Sequence, residues 1–245
     1  MKPFTVFIGA AQNPFLTAWS DSDLIGKMIF IGLITLSLIS WTILIHKWWI
    51  TSRVRHESAL FKRSFFEQKQ HPLAVTYART TNPETPNAFL VIYDVLKTKT
   101  EELLERNTKG KKDAPQFLGA SDITLLETHA ASTISTITKY LEKNLYLLST
   151  IVTLAPFLGL LGTVYGILLT FAGLAADTSM GSNQQVLGGL SLALTTTVIG
   201  LLNAIPALVG YNYLKNHISD FDHEMERFAT EVLSIFTMNY RTIEV

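Results

Sequence analysis

The sequence predicts an all-α membrane protein with three transmembrane helices and long cytoplasmic helical extensions, its later spans built to touch neighbouring helices. Three observations carry this. Of 245 residues, 48% are hydrophobic and 16% charged, with a mean hydropathy of +0.26, whereas an average soluble domain is about 25% charged. The apolar residues are also segregated: Met28 to Ile45 holds no acid or base, which is long enough to favour a span over a soluble helix. Finally, Leu154 to Ala175 and Gly188 to Tyr211 are of spanning length yet laced with glycine, alanine and threonine, residues that pack helix against helix better than they face lipid.

Taken in order, residues 1 to 23 form an extracytoplasmic or interfacial lead-in. Lys2 precedes an apolar patch too short for a signal-peptide core. The first span covers 24 to 49, bracketed by Lys27 and by His46-Lys47-Trp48-Trp49, the snorkelling cations and aromatics of a membrane boundary. Residues 50 to 143 are a cytoplasmic helical region. In it Ser58 to Gln68 reads as a short helical piece, His71 to Pro86 carries turn signals, and Asn87 to Arg106 shows apolar positions at Phe89, Leu90, Tyr93, Leu96, Leu103 and Leu104 in helical spacing. Thr108 to Gly119 is a connector. Ser121 then reads as an N-cap, with Asp122 in the first turn of a helix running through Lys143 into the second span.

The second span covers 144 to 175, the extracytoplasmic loop 176 to 187, the third span 188 to 214 and a C-terminal cytoplasmic helix 215 to 245. In that last helix Leu214, Ile218, Phe221, Met225, Phe228, Val232 and Ile235 alternate steps of four and three, a heptad-type stripe. Orientation follows from charge. All of the 20 Lys and Arg except Lys2, Lys27, Lys47, Lys215, Arg227 and Arg241 lie between Arg53 and Lys143, which places that segment and the C-terminus inside.

Several classes are disfavoured. The formal net charge is zero and the basic run Lys109-Gly-Lys-Lys112 is short, so no nucleic-acid partner is expected. There is no cysteine, hence no thiolate metal site. No phosphate loop, HExxH or nucleophile motif occurs, so neither an enzyme nor a cofactor or metal is expected.

The candidate functional residues lie in the last two spans. Gly159, Thr163, Gly166 and Thr170 share one helical face, with Gly162 beside it; Ala193, Thr197, Gly200 and Ala204 share another, widened by Thr196. Small residues admit close backbones, and the hydroxyls either join helices or line a narrow polar interior. Tyr165 is a further candidate for that interior, or for packing. Pro156 and Pro206 each remove a backbone donor and predict a kink. From Asn144 to Leu214 the only acidic or basic side chain is Asp177, in the loop. These spans offer hydroxyls and no carboxylate.

The runs Glu142-Lys-Asn-Leu-Tyr-Leu-Leu-Ser-Thr-Ile151, Ala155-Pro-Phe-Leu-Gly-Leu-Leu-Gly-Thr-Val-Tyr-Gly166, Leu194-Thr-Thr-Thr-Val-Ile-Gly200 and Ala204-Ile-Pro-Ala207 with Tyr211-Asn212 resemble the MotA/TolQ/ExbB proton channel family, in its TolQ/ExbB branch. Ser40-Trp41 and the short lead-in look somewhat more like TolQ. The resemblance implies a pentamer in the bacterial inner membrane around single helices of a TolR/ExbD-like partner carrying an intramembrane aspartate. Proton flow would then drive a TolA- or TonB-like protein that reaches the outer membrane. By motif the family's pore threonines map onto Thr163 and Thr197. Where several members carry a glutamate, this chain has Leu192, so the titrating group must come from the partner. The alternative is a non-conducting scaffold assembled through the same small-residue faces. A flagellar-type stator has four spans and fits less well.

Overall fold

The computed structural model describes residues 14–20, 22–68, 72–75, 77, 87–108, 117–175 and 181–240. Most of the lead-in, most of 71–86, the basic run at 109–112 and Asp177 lie outside the described residues. Six helices follow one another: α1 (Pro14–Ser20), α2 (Leu24–Glu67), α3 (Ala88–Thr108), α4 (Ala120–Glu142), α5 (Leu145–Ala175) and α6 (Gly181–Tyr240). No β-strand occurs among the described residues. Three stretches, Leu24–Glu67, Ala120–Ala175 and Val186–Tyr240, are long and apolar enough to cross a membrane. The chain divides into two compact units, Met1–Leu44 with Leu145–Tyr211, and Ile45–Asn144 with Asn212–Val245.

The first unit joins the early part of α2 to α5 and the early part of α6. Ile29, Leu33, Ala155 and Ala204 form one buried cluster, against which Leu158, Tyr165 and Ile199 pack. Ala18 of α1, Phe30 and Leu192 form another. Most of the large side chains point the other way: Ile31, Leu38 and Trp41, Phe157, Leu161 and Phe171, and Leu194, Leu202 and Val209 are all exposed. So much bare apolar surface on every helix suits lipid or neighbouring helices rather than water.

The second unit packs the later part of α2, α3, α4 and the later part of α6 around an aromatic core. Phe61, Phe65, Tyr93 and Phe228 are fully buried or nearly so, and Phe89 stacks on Phe228 with centroids 4.6 Å apart. The Tyr93 hydroxyl donates to the Pro72 carbonyl at 2.8 Å, and burial pushes its pKa up to about 12. The α6 stripe is buried from Leu214 through Val232, but Phe236 rather than Ile235 completes it. A helix of 3.6 residues per turn drifts off a 3.5-residue repeat, so the inward position moves by one after several turns.

Three local expectations are corrected. Ser58 to Gln68 is not a separate piece: α2 runs unbroken for 44 residues, because no glycine or proline interrupts 50–67. The N-cap of α4 is Gly119 rather than Ser121, and the Asp122 carboxylate closes on the Gly119 amide at 3.0 Å. The helix through Lys143 is interrupted at Lys143 and Asn144, where Asn144 takes φ 71°. Asparagine tolerates that left-handed conformation better than most residues do. The buried Lys47 ammonium donates to the Leu141 carbonyl at 3.0 Å, supplying a partner in the last turn of α4.

Asp122 also accepts from Arg106 at 2.9 Å and from Asn107 at 2.8 Å. Asp122→Ala is expected to destabilise the second unit by about 2 kcal/mol, since hydrogen bonds to a charged group contribute about 1.5–3 kcal/mol. Thermal unfolding and faster amide exchange at the start of α4 measure it.

Candidate functional site

The site is built where α5 and α6 come close within the first unit. Glycine in a helix interior normally costs about 1 kcal/mol relative to alanine. Here contact with the facing helix explains its use. A Cβ added at Gly159 would lie 3.1 Å from the Thr196 carbonyl oxygen and the Thr197 Cα; at Gly162, 2.5 Å from the Thr196 Cβ; at Gly200, 2.8 Å from the Ala155 oxygen. At Gly166 it would lie 2.8 Å from the Ala193 backbone nitrogen. At Gly166 and Gly200 a side chain would strike backbone and at Gly162 the Thr196 side chain, while at Gly159 it would be tight.

The hydroxyls occupy two kinds of place. Thr196 is wholly buried in the seam, its Oγ1 2.9 Å from the Leu192 carbonyl oxygen and 3.1 Å from that of Ala193. Thr163, Thr170 and Thr197 are half-buried. Thr163 donates to the Leu160 carbonyl at 2.7 Å, Thr170 to that of Gly166 at 2.9 Å, and Thr197 reaches across to Gly159 at 3.2 Å. Each donor is satisfied by a carbonyl, as a hydroxyl in an apolar medium requires.

The remaining candidates are dispersed. Tyr165 is turned toward α2 and donates its hydroxyl to the Asp23 carboxylate, whose other oxygen accepts from the Gly26 amide at 2.9 Å. Ala193 lines the seam, whereas Ala204 packs with Ile29 and Leu33 of α2. Pro156 and Pro206 sit half-buried inside helices that continue past them. Asn203 donates across to the Leu33 carbonyl at 3.2 Å, the helix-to-helix bond expected of a buried amide in a span.

Leu192 is 1% exposed, packed among Ala18 and Phe30. A carboxylate buried in that place would be costly unless paired, and the nearest acid, Asp23 beside Gly26, carries the same charge. Sequence reasoning missed Asp23, which stands 142 positions from Tyr165 with no local pattern to join them. It also missed Gly189, where a Cβ would lie 2.6 Å from the Thr170 hydroxyl oxygen. That one had a signal, since Gly189 stands four residues before Ala193 on the same face.

Comparison with known proteins bears directly on this arrangement. Residues 99–227 match the MotA/TolQ/ExbB proton channel family. The chain is 30% identical over 233 residues to "Biopolymer transport protein ExbB" of Pseudomonas putida, covering 92% of this chain and 64% of that one, so it spans just under two thirds of that relative's length. It is 26% identical over 232 residues to "Tol-Pal system protein TolQ" of Haemophilus influenzae, covering 92% and 94%. A 101-residue stretch is 49% identical to "Putative biopolymer transport protein ExbB-like 2" of Helicobacter pylori, covering 38% and 67%. With three spanning stretches, small-residue packing of the last two and a match over more than half its length, this multi-pass membrane chain belongs to the MotA/TolQ/ExbB proton channel family.

Proposed function

We propose that this chain is the proton-channel or stator subunit of a TolQ/ExbB-type complex in the bacterial inner membrane, with its N-terminus periplasmic and its C-terminus cytoplasmic. Copies of it, five by family resemblance, surround a TolR/ExbD-like single-span protein that carries an intramembrane aspartate. Proton flow through the complex does mechanical work on a TolA- or TonB-like protein, for outer-membrane maintenance or import.

The observation that carries this reading is the pair Thr163 and Thr197, both half-buried beside a glycine-lined seam, with no acid or base among residues 144–175 and 188–214. Such a wall hydrates or positions a titrating group without titrating itself. One charge moving through 100 mV yields about 2.3 kcal/mol, enough to bias a packed-helix rearrangement. Thr196, Gly159, Gly162, Gly166, Ala193 and Gly200 hold the wall in shape, and Thr170 extends it.

The test is proton flux in vesicles holding the chain and its partner. Thr163→Val and Thr197→Val, near-isosteric but lacking the oxygen, are expected to leave assembly intact and to depress flux and energy coupling together, by tenfold or more for about 1.4 kcal/mol of lost stabilisation. Unchanged flux in both assembled variants would remove the pore assignment and favour the scaffold reading, in which the hydroxyls only join helices.

A further inference from the structure

Within the second unit one guanidinium holds two groups of α6. Arg55 of α2 places Nη1 2.9 Å from His217 Nδ1, while its Nη2 donates to the Glu224 carboxylate. A guanidinium has only donors, so His217 Nδ1 must offer its lone pair and the ring proton must sit on Nε2. The contact therefore exists only for the neutral ring. The charged groups acting on His217 are Arg55 from α2 and Asp220 and Glu224 from α6 itself, and the Tyr213 ring stacks on it with centroids 5.7 Å apart.

We propose that Arg55, His217 and Glu224 form an acid-released clasp between α2 and α6, closed while His217 is neutral and opened when the ring takes up a second proton. Protonation would set an N–H against the guanidinium at hydrogen-bond distance, with like charges facing each other. The ring must then turn away, toward Asp220 or Glu224, and at Glu224 it competes with Arg55 for the same carboxylate. One proton thus breaks the contact of Arg55 with His217 and, where the ring turns to Glu224, loosens the other as well. Arg55 and Glu224 keep about a third of their side-chain surface open, so protons and water reach the clasp without unfolding.

The direction of the titration agrees with this geometry. Burial, followed by the Arg55 charge, holds His217 below its usual 6.5, against the opposing pull of Asp220 and Glu224. A histidine depressed in the folded state contributes stability that is fully present above about pH 6.5. That contribution is lost as pH falls through the lowered folded value. The clasp requires neither a partner nor proton flux, so it stands or falls apart from the channel reading.

The test uses the full chain in lipid nanodiscs. Nitrogen-15 histidine spectra at about pH 7.5 are expected to show His217 protonated at Nε2 alone; a proton on Nδ1 overturns the clasp. His217→Asn keeps an oxygen that accepts from Arg55 but does not titrate. At about pH 5.5 the amides flanking Arg55 and His217 are expected to exchange about fivefold faster in the unsubstituted chain than in His217→Asn, a ratio reachable with about 1 kcal/mol. At about pH 7.5 the two are expected to match. Equal exchange at the acid pH overturns the proposal. His223→Asn, at an exposed ring that pairs with Glu226, is expected to leave the acid response in place. Should His217→Asn fold poorly, Arg55→Gln serves instead: the His217 midpoint is expected to rise by about half a pH unit, and no rise refutes the clasp.

Discussion

Gly166→Val is expected to separate α5 from α6. Its Cβ would meet the Ala193 backbone nitrogen at 2.8 Å and would also press on the Gly189 carbonyl, and backbone atoms cannot rotate aside as a side-chain tip can. Relief requires the helices to move apart along the seam, which also pulls Thr197 off the Gly159 carbonyl. Overpacking typically costs about 1–3 kcal/mol and occasionally more, and this contact belongs at the upper end. For a chain of this size the apparent Tm in thermal unfolding is expected to fall by about 6–12 °C. Gly32→Ala is the control. Its Cβ would meet only the Leu158 Cδ1, at 3.9 Å, so its Tm is expected to stay within about 1–2 °C of the unsubstituted chain.

Phe228→Ala is expected to be as damaging in the second unit. The ring is fully buried, stacks on Phe89 and meets Phe61 and Phe65 at centroid distances of 6.1 and 5.6 Å. Its removal loses contact with α2 and α3 at once and leaves a void lined by rings held by other partners, Phe89 by Phe221 and both Phe61 and Phe65 by Tyr93. The expected cost is about 3–5 kcal/mol, read as a lowered unfolding midpoint and as faster amide exchange through the later part of α6. Phe228→Leu, which refills most of the space, is expected to recover more than half of it. A loss under about 1 kcal/mol for Phe228→Ala would mean that the unit is not held by this cluster.

Much of this was legible because the controlling interactions are local in sequence. Runs of apolar residues mark the spans, and a stripe of fours and threes marks the buried edge of α6. Glycine and threonine repeating every three or four residues mark the α5 and α6 faces that meet. What was hidden depends on partners far along the chain. Nothing around Asp23 announces that Tyr165 will donate to it, and nothing around Lys47 announces the Leu141 carbonyl. The break at Asn144 was hidden for another reason: asparagine occurs in helices and also tolerates φ 71°, so residue type alone does not separate the two outcomes. Half-burial of Thr163 against full burial of Thr196 turns on rotations of about 100° per residue, which small residues on all sides of a helix leave undetermined.

The single hydrogen of each half-buried threonine hydroxyl is already committed. That of Thr163 goes to Leu160, that of Thr170 to Gly166 and that of Thr197 to Gly159. What these oxygens still present is unshared electron pairs. A hydrogen-bonding visitor is therefore welcome only if it brings its own hydrogen, as water, an ammonium, an amide or an un-ionised acid does. A bare carboxylate finds no donor among them until one of those hydroxyls swings away from its carbonyl.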